Sequence, residues 1–327
     1  MEAGIRLQGY LTYTTASLEP RLGIKYNVNE NFRLKSSGGR YSQNFTSANS
    51  DRDVVNIFNG LLSAPTNVQS TFVQENGNVI EGIDNGIQYA WHAIAGFEWD
   101  LTKKISLNIE GYYKYFNRLS NINFNKLYDD VALNSQIDDV FKKDFIIENG
   151  AAYGLDFLLK RSTQRTFLWV GYSLGKVNRW DGFINYATVF DRRHNVNLVF
   201  TYLAGKKRNI ELSARWNYGS GLPFTPTAGF YESQNFQNGV STDIVGNNPN
   251  YVETILGDLN SKRLPDYHRL DITAKYPITI KGKEPLEITM GITNLYNRQN
   301  IFYVNRLTAD VIYQLPILPS LGVSYRW

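Results

Sequence analysis

Residues Ile210 to Gly219 read IELSARWNYG. In an extended chain, Ile210, Leu212, Ala214, Trp216 and Tyr218 fall on one side, and Glu211, Ser213, Arg215, Asn217 and Gly219 on the other, because successive side chains of a strand point to opposite faces. An apolar row of that length needs an apolar environment. Before the stretch stands GKKR at 205 to 208, and after it a long polar run from 221 to 265. The strand therefore lies between a tight turn and a long loop, and the same arrangement recurs along the chain.

Short links stand at 27 to 31 (NVNEN), 101 to 104 (LTKK), 162 to 165 (STQR), 205 to 208 (GKKR) and 281 to 285 (KGKEP). Long ones alternate with them at 44 to 87, 118 to 147, 181 to 192, 221 to 265 and 296 to about 318. A soluble sheet protein has mostly short hairpin loops at both ends, whereas outer-membrane barrels have short turns at one rim and long loops at the other. In 286 to 293, Leu286, Ile288, Met290 and Ile292 oppose Glu287, Thr289, Gly291 and Thr293. In 105 to 115, Ile105, Leu107, Ile109, Tyr113 and Tyr115 oppose Ser106, Asn108, Glu110, Tyr112 and Lys114. Further strands are predicted at 4 to 12, 19 to 26, 32 to 43, 88 to 100, 153 to 160, 166 to 178, 194 to 203, 269 to 276 and 321 to 327. The predicted fold class is all-β, a transmembrane antiparallel up-and-down β-barrel of about 12 strands occupying residues 1 to 327. An even count puts both chain ends on the short-turn side.

Composition agrees with that reading. Mean hydropathy is -0.34 and the longest apolar runs resemble FLWV at 167 to 170, far below the ~18 to 20 residues of a membrane helix. Barrel strands escape that test because only alternate residues face lipid. Aromatic residues make up 14% of the chain, enough for interfacial girdles. The chain has no Cys and three scattered His, which excludes disulfides and thiolate metal sites. A net charge of +4, with no basic stripe, gives no case for nucleic acid. Lys103, Lys104, Arg161, Arg165, Lys206, Lys207, Arg208, Lys281 and Lys283 make the short-turn rim basic. The long loops, with Asp51, Asp53, Glu75, Glu81 and Asp84 in the first of them, lean acidic. An acidic mouth disfavours first capture of strongly anionic ligands. The N-terminus, MEAGIRLQGY, enters a strand pattern without a secretory leader. The expectation is a leader already removed or a longer protein upstream.

Charges on the polar face of the strands, Glu110, Lys114, Asp156, Lys160, Arg215, Asp271 and Lys275, are candidates to line a path through the barrel or to pair with one another. Phe224 and Tyr231, in the loop at 221 to 265, are candidates for ligand contact through their rings. Asp129, Asp130, Asp138 and Asp139 lack the Gly and Glu spacing of a calcium loop and read as a solvated acidic loop. His92, His194 and His268 stand near no nucleophile signature. No catalytic residue, metal or cofactor is predicted.

Four tracts, NYGSGLPFTP (Asn217 to Pro226), RLPDYHRLDI (Arg263 to Ile272), ITNLYNRQNIF (Ile292 to Phe302) and LPSLGVSYRW (Leu318 to Trp327), together with Glu19 to Gln43, resemble TonB-dependent outer-membrane receptors of the type common in Bacteroidetes. Such receptors have a 22-stranded barrel plugged by an N-terminal globular domain. The resemblance implies that residues 1 to 327 are the C-terminal part of the barrel, in the bacterial outer membrane, without the plug domain. It also implies membrane lipid, the TonB complex, the barrel-assembly machinery and a surface lipoprotein as partners. Gly322, Tyr325 and Trp327 match the spacing that the assembly machinery recognises in the last strand of such barrels. A complete 12-stranded porin or scaffold and an outer-membrane hydrolase are the competing readings. Iron chelates, oligosaccharides, peptides and cobalamin are all open as substrates.

Overall fold

The computed structural model describes residues 1–47, 60–63, 65–232, 252–278 and 286–325. Twelve strands, each bonded to the next in chain order, form one antiparallel sheet: β1 Glu2–Tyr10, β2 Thr15–Asn27, β3 Phe32–Gln43, β4 Gln88–Thr102, β5 Ile105–Ile122, β6 Phe145–Ser162, β7 Thr166–Trp180, β8 His194–Ala204, β9 Ile210–Gly219, β10 Tyr267–Ile278, β11 Leu286–Thr293 and β12 Leu318–Ser324. A short strand, Asn185–Ala187, is added on β7. Each predicted strand has its counterpart. Among the described residues the first and last strands, β1 and β12, are not paired with one another.

Register fixes the two faces, since residues directly opposite in an antiparallel pair point the same way. Arg215 stands between Val199 and Asp271, and Glu211 opposite Lys275, so the polar residues of β8, β9 and β10 share one face. Leu212, Ala274 and Met290 share the other. Leu212 and Met290 are 42% and 49% exposed, which makes the apolar face an outer surface. Polar side chains line the inside. Among the described residues, the buried apolar cluster is not in the wall: Val68, Phe72, Ile83 and Ile147, with Ile80, Phe145 and Trp180 against them, sit where the first long loop covers the outer end of β6.

Three boundaries differ from the sequence reading. β5 runs on past 115 to Ile122 and β6 begins at Phe145 rather than 153, which shortens their loop to 123–144. Those outer stretches lose strict alternation at a register shift between Glu148 and Gly150, and with it the signal that marks a membrane strand. The link between β1 and β2 is the single 3-10 turn Leu11–Tyr13, so one connection at the long-loop rim is short. The turn at 281–285 lies outside the described residues, as do Asp51 and Asp53.

Side chains tie the long loops to the strand ends. Asn294 is fully buried in the left-handed region (φ 54), where Asn is tolerated better than most residues. Its amide donates to the carbonyls of Arg298 (2.9 Å) and Leu315 (3.0 Å), its Oδ1 accepts from the Arg298 N–H (2.9 Å), and its own N–H donates to Asp271 Oδ1 (2.9 Å). Asn297, also at positive φ, accepts from the Ile317 N–H, and Asn300 bonds both ways to the backbone of His268. The asparagines of ITNLYNRQN therefore close the base of the last loop. Asp266 does the same for the loop between β9 and β10. It accepts from Tyr218 Oη (2.7 Å) and the Gly221 N–H (2.9 Å). A side chain at Gly221 would collide with the Leu264 carbonyl.

Two outcomes follow from these anchors. Asn294→Ala leaves buried carbonyls without donors and puts a Cβ-bearing residue without a compensating amide in the left-handed region. Denaturant unfolding in detergent should show it destabilised by about 3 kcal/mol, with Asn294→Gly recovering about 1 kcal/mol of that. The Tyr218 hydroxyl, with help from the Gly221 N–H and the Arg298 charge, holds the Asp266 carboxyl below its usual range. A depressed folded value means that the tether is at full strength above the unfolded carboxylate value of ~3.9 and fades as pH falls through the lower folded one. Protection of the Gly221 amide from hydrogen exchange, taken relative to its intrinsic rate, should be full at neutral pH and fall only once the pH is below about 4; in Asp266→Asn that acid step should be absent.

Candidate functional site

On the inner face, β6 and β7 are rich in small residues: Gly150, Ala152 and Gly154 on one, Gly171, Ser173 and Gly175 on the other, with Gly154 directly opposite Gly175. The space they leave is taken by Tyr112 of β5, which stands opposite Gly154. A Cβ added at Gly154 would lie 2.7 Å from the Tyr112 hydroxyl oxygen, and one at Gly175 3.0 Å from it. At Gly154 a Cβ would also collide with the Leu174 carbonyl oxygen, so glycine is needed there, and at Gly175 the Tyr112 hydroxyl leaves little room for a side chain. Above the ring opens a cavity of ≈ 460 Å³ lined by Glu110, Tyr112, Lys114, Phe116, Asp156, Arg179 and Phe190, among others. That volume falls within the ~300 to 1,000 Å³ of ligand pockets.

The cavity has charged walls and an aromatic rim. Glu110 is ion-paired to Lys35 and accepts from Asn108 Nδ2 (3.1 Å), so its charge belongs to a belt of Lys25, Arg33, Lys35, Glu98 and Asp100 on the turn side. The Lys114 ammonium lies 5.5 Å from the Tyr112 ring centroid, and neither Lys114 nor Asp156 has an ion-pair partner among the described residues. Arg179 reaches Glu148 (3.2 Å) and lies 5.8 Å from the Phe190 ring centroid.

Buried carboxylates hold the outer wall. Glu148, 1% exposed, accepts from Tyr186 Oη (2.7 Å), Asn121 Nδ2 (3.2 Å) and Arg179. Asp191 is wholly buried; it accepts from the Val177 N–H (2.7 Å), lies 3.4 Å from Arg193, and is bonded to Arg263, whose guanidinium also donates to the carbonyls of Asp191 (2.9 Å) and Gly221 (3.0 Å). Unpaired buried charges are expensive, and here each carboxylate has a cation and a neutral donor. The result clamps the β7–β8 loop, and Phe190 with it, over the cavity.

Of the residues singled out from sequence, Glu110, Lys114 and Asp156 are brought together here. Arg215, Asp271 and Lys275 line the same face farther round, on β9 and β10, with Lys160 at the turn end of β6. Asp271 is bound to Arg269 (2.9 Å) and to the Asn294 N–H, so it supports a loop base, and Lys275 lies 3.5 Å from Glu211. Arg215 has no ion pair among the described residues. Phe224 belongs to the short strand Pro223–Phe224, paired with Lys262–Arg263, and Tyr231 is bonded to Glu253 across the hairpin Thr227–Glu232 and Val252–Leu256. Gly322 stands opposite Thr289, Tyr325 is exposed, and Trp327 lies outside the described residues. Arg179, Glu148, Tyr112 and Phe190 were not anticipated; the one signal for them is Glu148, an acid inside the otherwise apolar FIIENG.

Part of the acid at the long-loop rim is ion-paired within the 123–144 loop. Asp130 pairs with Lys143 (2.8 Å) and Asp144 with Lys126 (2.7 Å), whose ammonium holds the Asp144 carboxyl below its usual range. Asp139 accepts from the Ser70 N–H (2.8 Å) and hydroxyl (2.5 Å). These contacts staple the 123–144 loop to itself and to its neighbour, while Asp129, Asp130 and Asp138 stay exposed to solvent, as the sequence reading had them. The three histidines have aromatic neighbours: His92 stacks on Tyr41 (4.5 Å), while the rings of His194 and His268 hydrogen-bond Tyr172 (2.9 Å) and Tyr296 (2.8 Å).

No protein-family model matches the sequence, and no curated protein sequence does. Solved structures do match its fold. The chain is similar to Pseudomonas aeruginosa FpvA bound to a heterologous pyoverdine and iron (10% identity, 94% of this chain and 33% of that one, TM-score 0.57). It is similar to BauA, the ferric preacinetobactin receptor of Acinetobacter baumannii (13% identity, 95% and 36%, TM-score 0.55). A third is Fiu, the ferric-catecholate import receptor of Escherichia coli K12 (13% identity, 95% and 35%, TM-score 0.54). The chain spans about a third of the length of these structures. They are TonB-dependent outer-membrane receptors, and what the chain shares with them is the fold: an antiparallel, up-and-down transmembrane barrel wall.

Proposed function

We propose that this chain is the C-terminal barrel portion of a TonB-dependent receptor, of the type common in Bacteroidetes, which imports a substrate across the bacterial outer membrane. The observation that carries the proposal is the join of two features: a twelve-strand meander with long loops at one rim, and overlap of nearly the whole chain with about a third of receptors of that kind. Within lipid every backbone group must be bonded. The edges that β1 and β12 leave among the described residues call for partners, and further strands in the same wall would supply them, which supports a larger barrel, completed by a plug, over a self-contained porin. The TonB complex, the assembly machinery acting on Gly322, Tyr325 and Trp327, and a surface lipoprotein are the partners this reading entails.

Within that reading the cavity around Lys114, Asp156, Tyr112, Phe116 and Phe190 lies on the substrate path. Its opposed charges and ring faces suit an amphipathic ligand with polar groups of both signs, and the ferric chelates of the structural neighbours set the first class to test. Among the described residues the rings of His92, His194 and His268 have Tyr41, Tyr172 and Tyr296 as partners, and the reading adopted is transport rather than hydrolysis.

The chain has no cysteine, so one introduced thiol reports its own side of the membrane. In cells producing the full-length protein, Asn76→Cys, on the first long loop, should react with a membrane-impermeant maleimide. Lys104→Cys and Lys207→Cys, in short turns, should react only after the outer membrane is permeabilised. Labelling of all three in intact cells would sink the topology. For the path, Lys114→Ala with Asp156→Ala should lower uptake of the transported chelate about tenfold across a ferric-siderophore panel, with surface labelling at Asn76→Cys unchanged; uptake equal to wild type would remove the cavity from the path.

A further inference from the structure

The membrane-facing side of the wall carries a groove. Register places Gly38, Ala93, Tyr113, Tyr153 and Lys176 in one row across β3 to β7. The next row toward the turns is Ser36, Ala95, Gly111, Leu155 and Leu174, and the third is Leu34, Phe97, Ile109, Phe157 and Tyr172. Small residues in the first two rows on β3 and β4, with Gly111 on β5, make a depression, with the bulky third row as its inner end. Tyr113 and Tyr153, stacked at 6.4 Å, stand along its side with Leu155 and Leu174. Lys176 and Arg193 close it at the loop end, and the whole groove measures ≈ 720 Å³.

The charge at that end is unbalanced. Lys176 is exposed and has no acidic partner among the described residues. Arg193 shares its one acid, Asp191, with Arg263. Two guanidiniums thus share a single carboxylate, and the Lys176 ammonium has none among the described residues. The row of Tyr113, Tyr153 and Lys176 is where aromatic rings and basic groups meet the headgroup level of a membrane, and basic residues there attract anionic headgroups. Apolar length toward the membrane centre and excess positive charge at the headgroup level describe complementary halves of one ligand.

We propose that the groove binds one anionic, phosphorylated acyl lipid of the leaflet on the long-loop side, an acyl chain lying over Ala93, Ala95 and Gly111 and the phosphate held by Lys176 and Arg193. It rests on the membrane placement proposed above. Micelles of neutral detergent containing phosphatidylglycerol or phosphatidylcholine with the same acyl chains, examined with the full-length protein by native mass spectrometry, test it. One phosphatidylglycerol should be retained where phosphatidylcholine is lost. Lys176→Gln with Arg193→Gln should cut that retention about tenfold, and Ala95→Phe, which fills the floor, should abolish it. Equal retention of the two lipids, or retention unchanged in the Lys176→Gln, Arg193→Gln variant, overturns the proposal. Vesicles of brominated phosphatidylcholine separate the two failures. Quenching of tryptophan fluorescence without a headgroup preference removes the lipid site alone, and no quenching removes the membrane placement with it.

Discussion

The structure depends on one constraint, that a main chain surrounded by hydrocarbon has no water with which to bond. Every amide in the wall must find a carbonyl on a neighbouring strand. The economical solution for a single chain is to turn back on itself repeatedly, and β1 to β12 do so without a crossover. This constraint inverts the usual division of a protein. The apolar rows face outward, the charges of β2 to β5 join in a belt inside, and the buried apolar cluster of Val68, Phe72, Ile83 and Ile147 lies beneath a loop. Hydrophobic burial in the ordinary sense works where the chain has left the membrane.

Beyond the membrane a different problem appears, since long loops must be held without a sheet to hold them. Here the solution is local and polar. Glu148 and Asp191, each buried and each with a cation and a neutral donor, fasten loops to the ends of β6 and β7. Asp266 and Asn294 fasten the two loops of the C-terminal half at their bases. The same carboxylates shape the inner cavity, because Arg179 and Phe190 are positioned by the contacts that hold the loops.

The wall was legible in the sequence because lipid enforces a period of two, and residues such as Leu212, Ala214 and Trp216 on β9 reveal it directly. Legibility ended where lipid ends. The outer part of β5, FNRLSNI, and the start of β6, FIIENG, are strand in the structure but covered by loops, so no alternation is required of them, and the shift between Glu148 and Gly150 breaks what there is. Glu110, Lys114 and Asp156 were recognisable as inward charges. Their grouping was not, since it depends on Tyr112 crossing two strands above Gly154 and Gly175, a fit between residues about 40 to 60 positions apart that no local pattern records. ITNLYNRQN was visible as a tract, but the positive φ of Asn294 and Asn297 that explains it was not.

The anchors at Asp266 and Asn294 grip their loops at the base, beside the strand ends. Insertions, deletions and wholesale replacement between two such clamps leave strand register untouched, because the strain of a new sequence stops at the clamp.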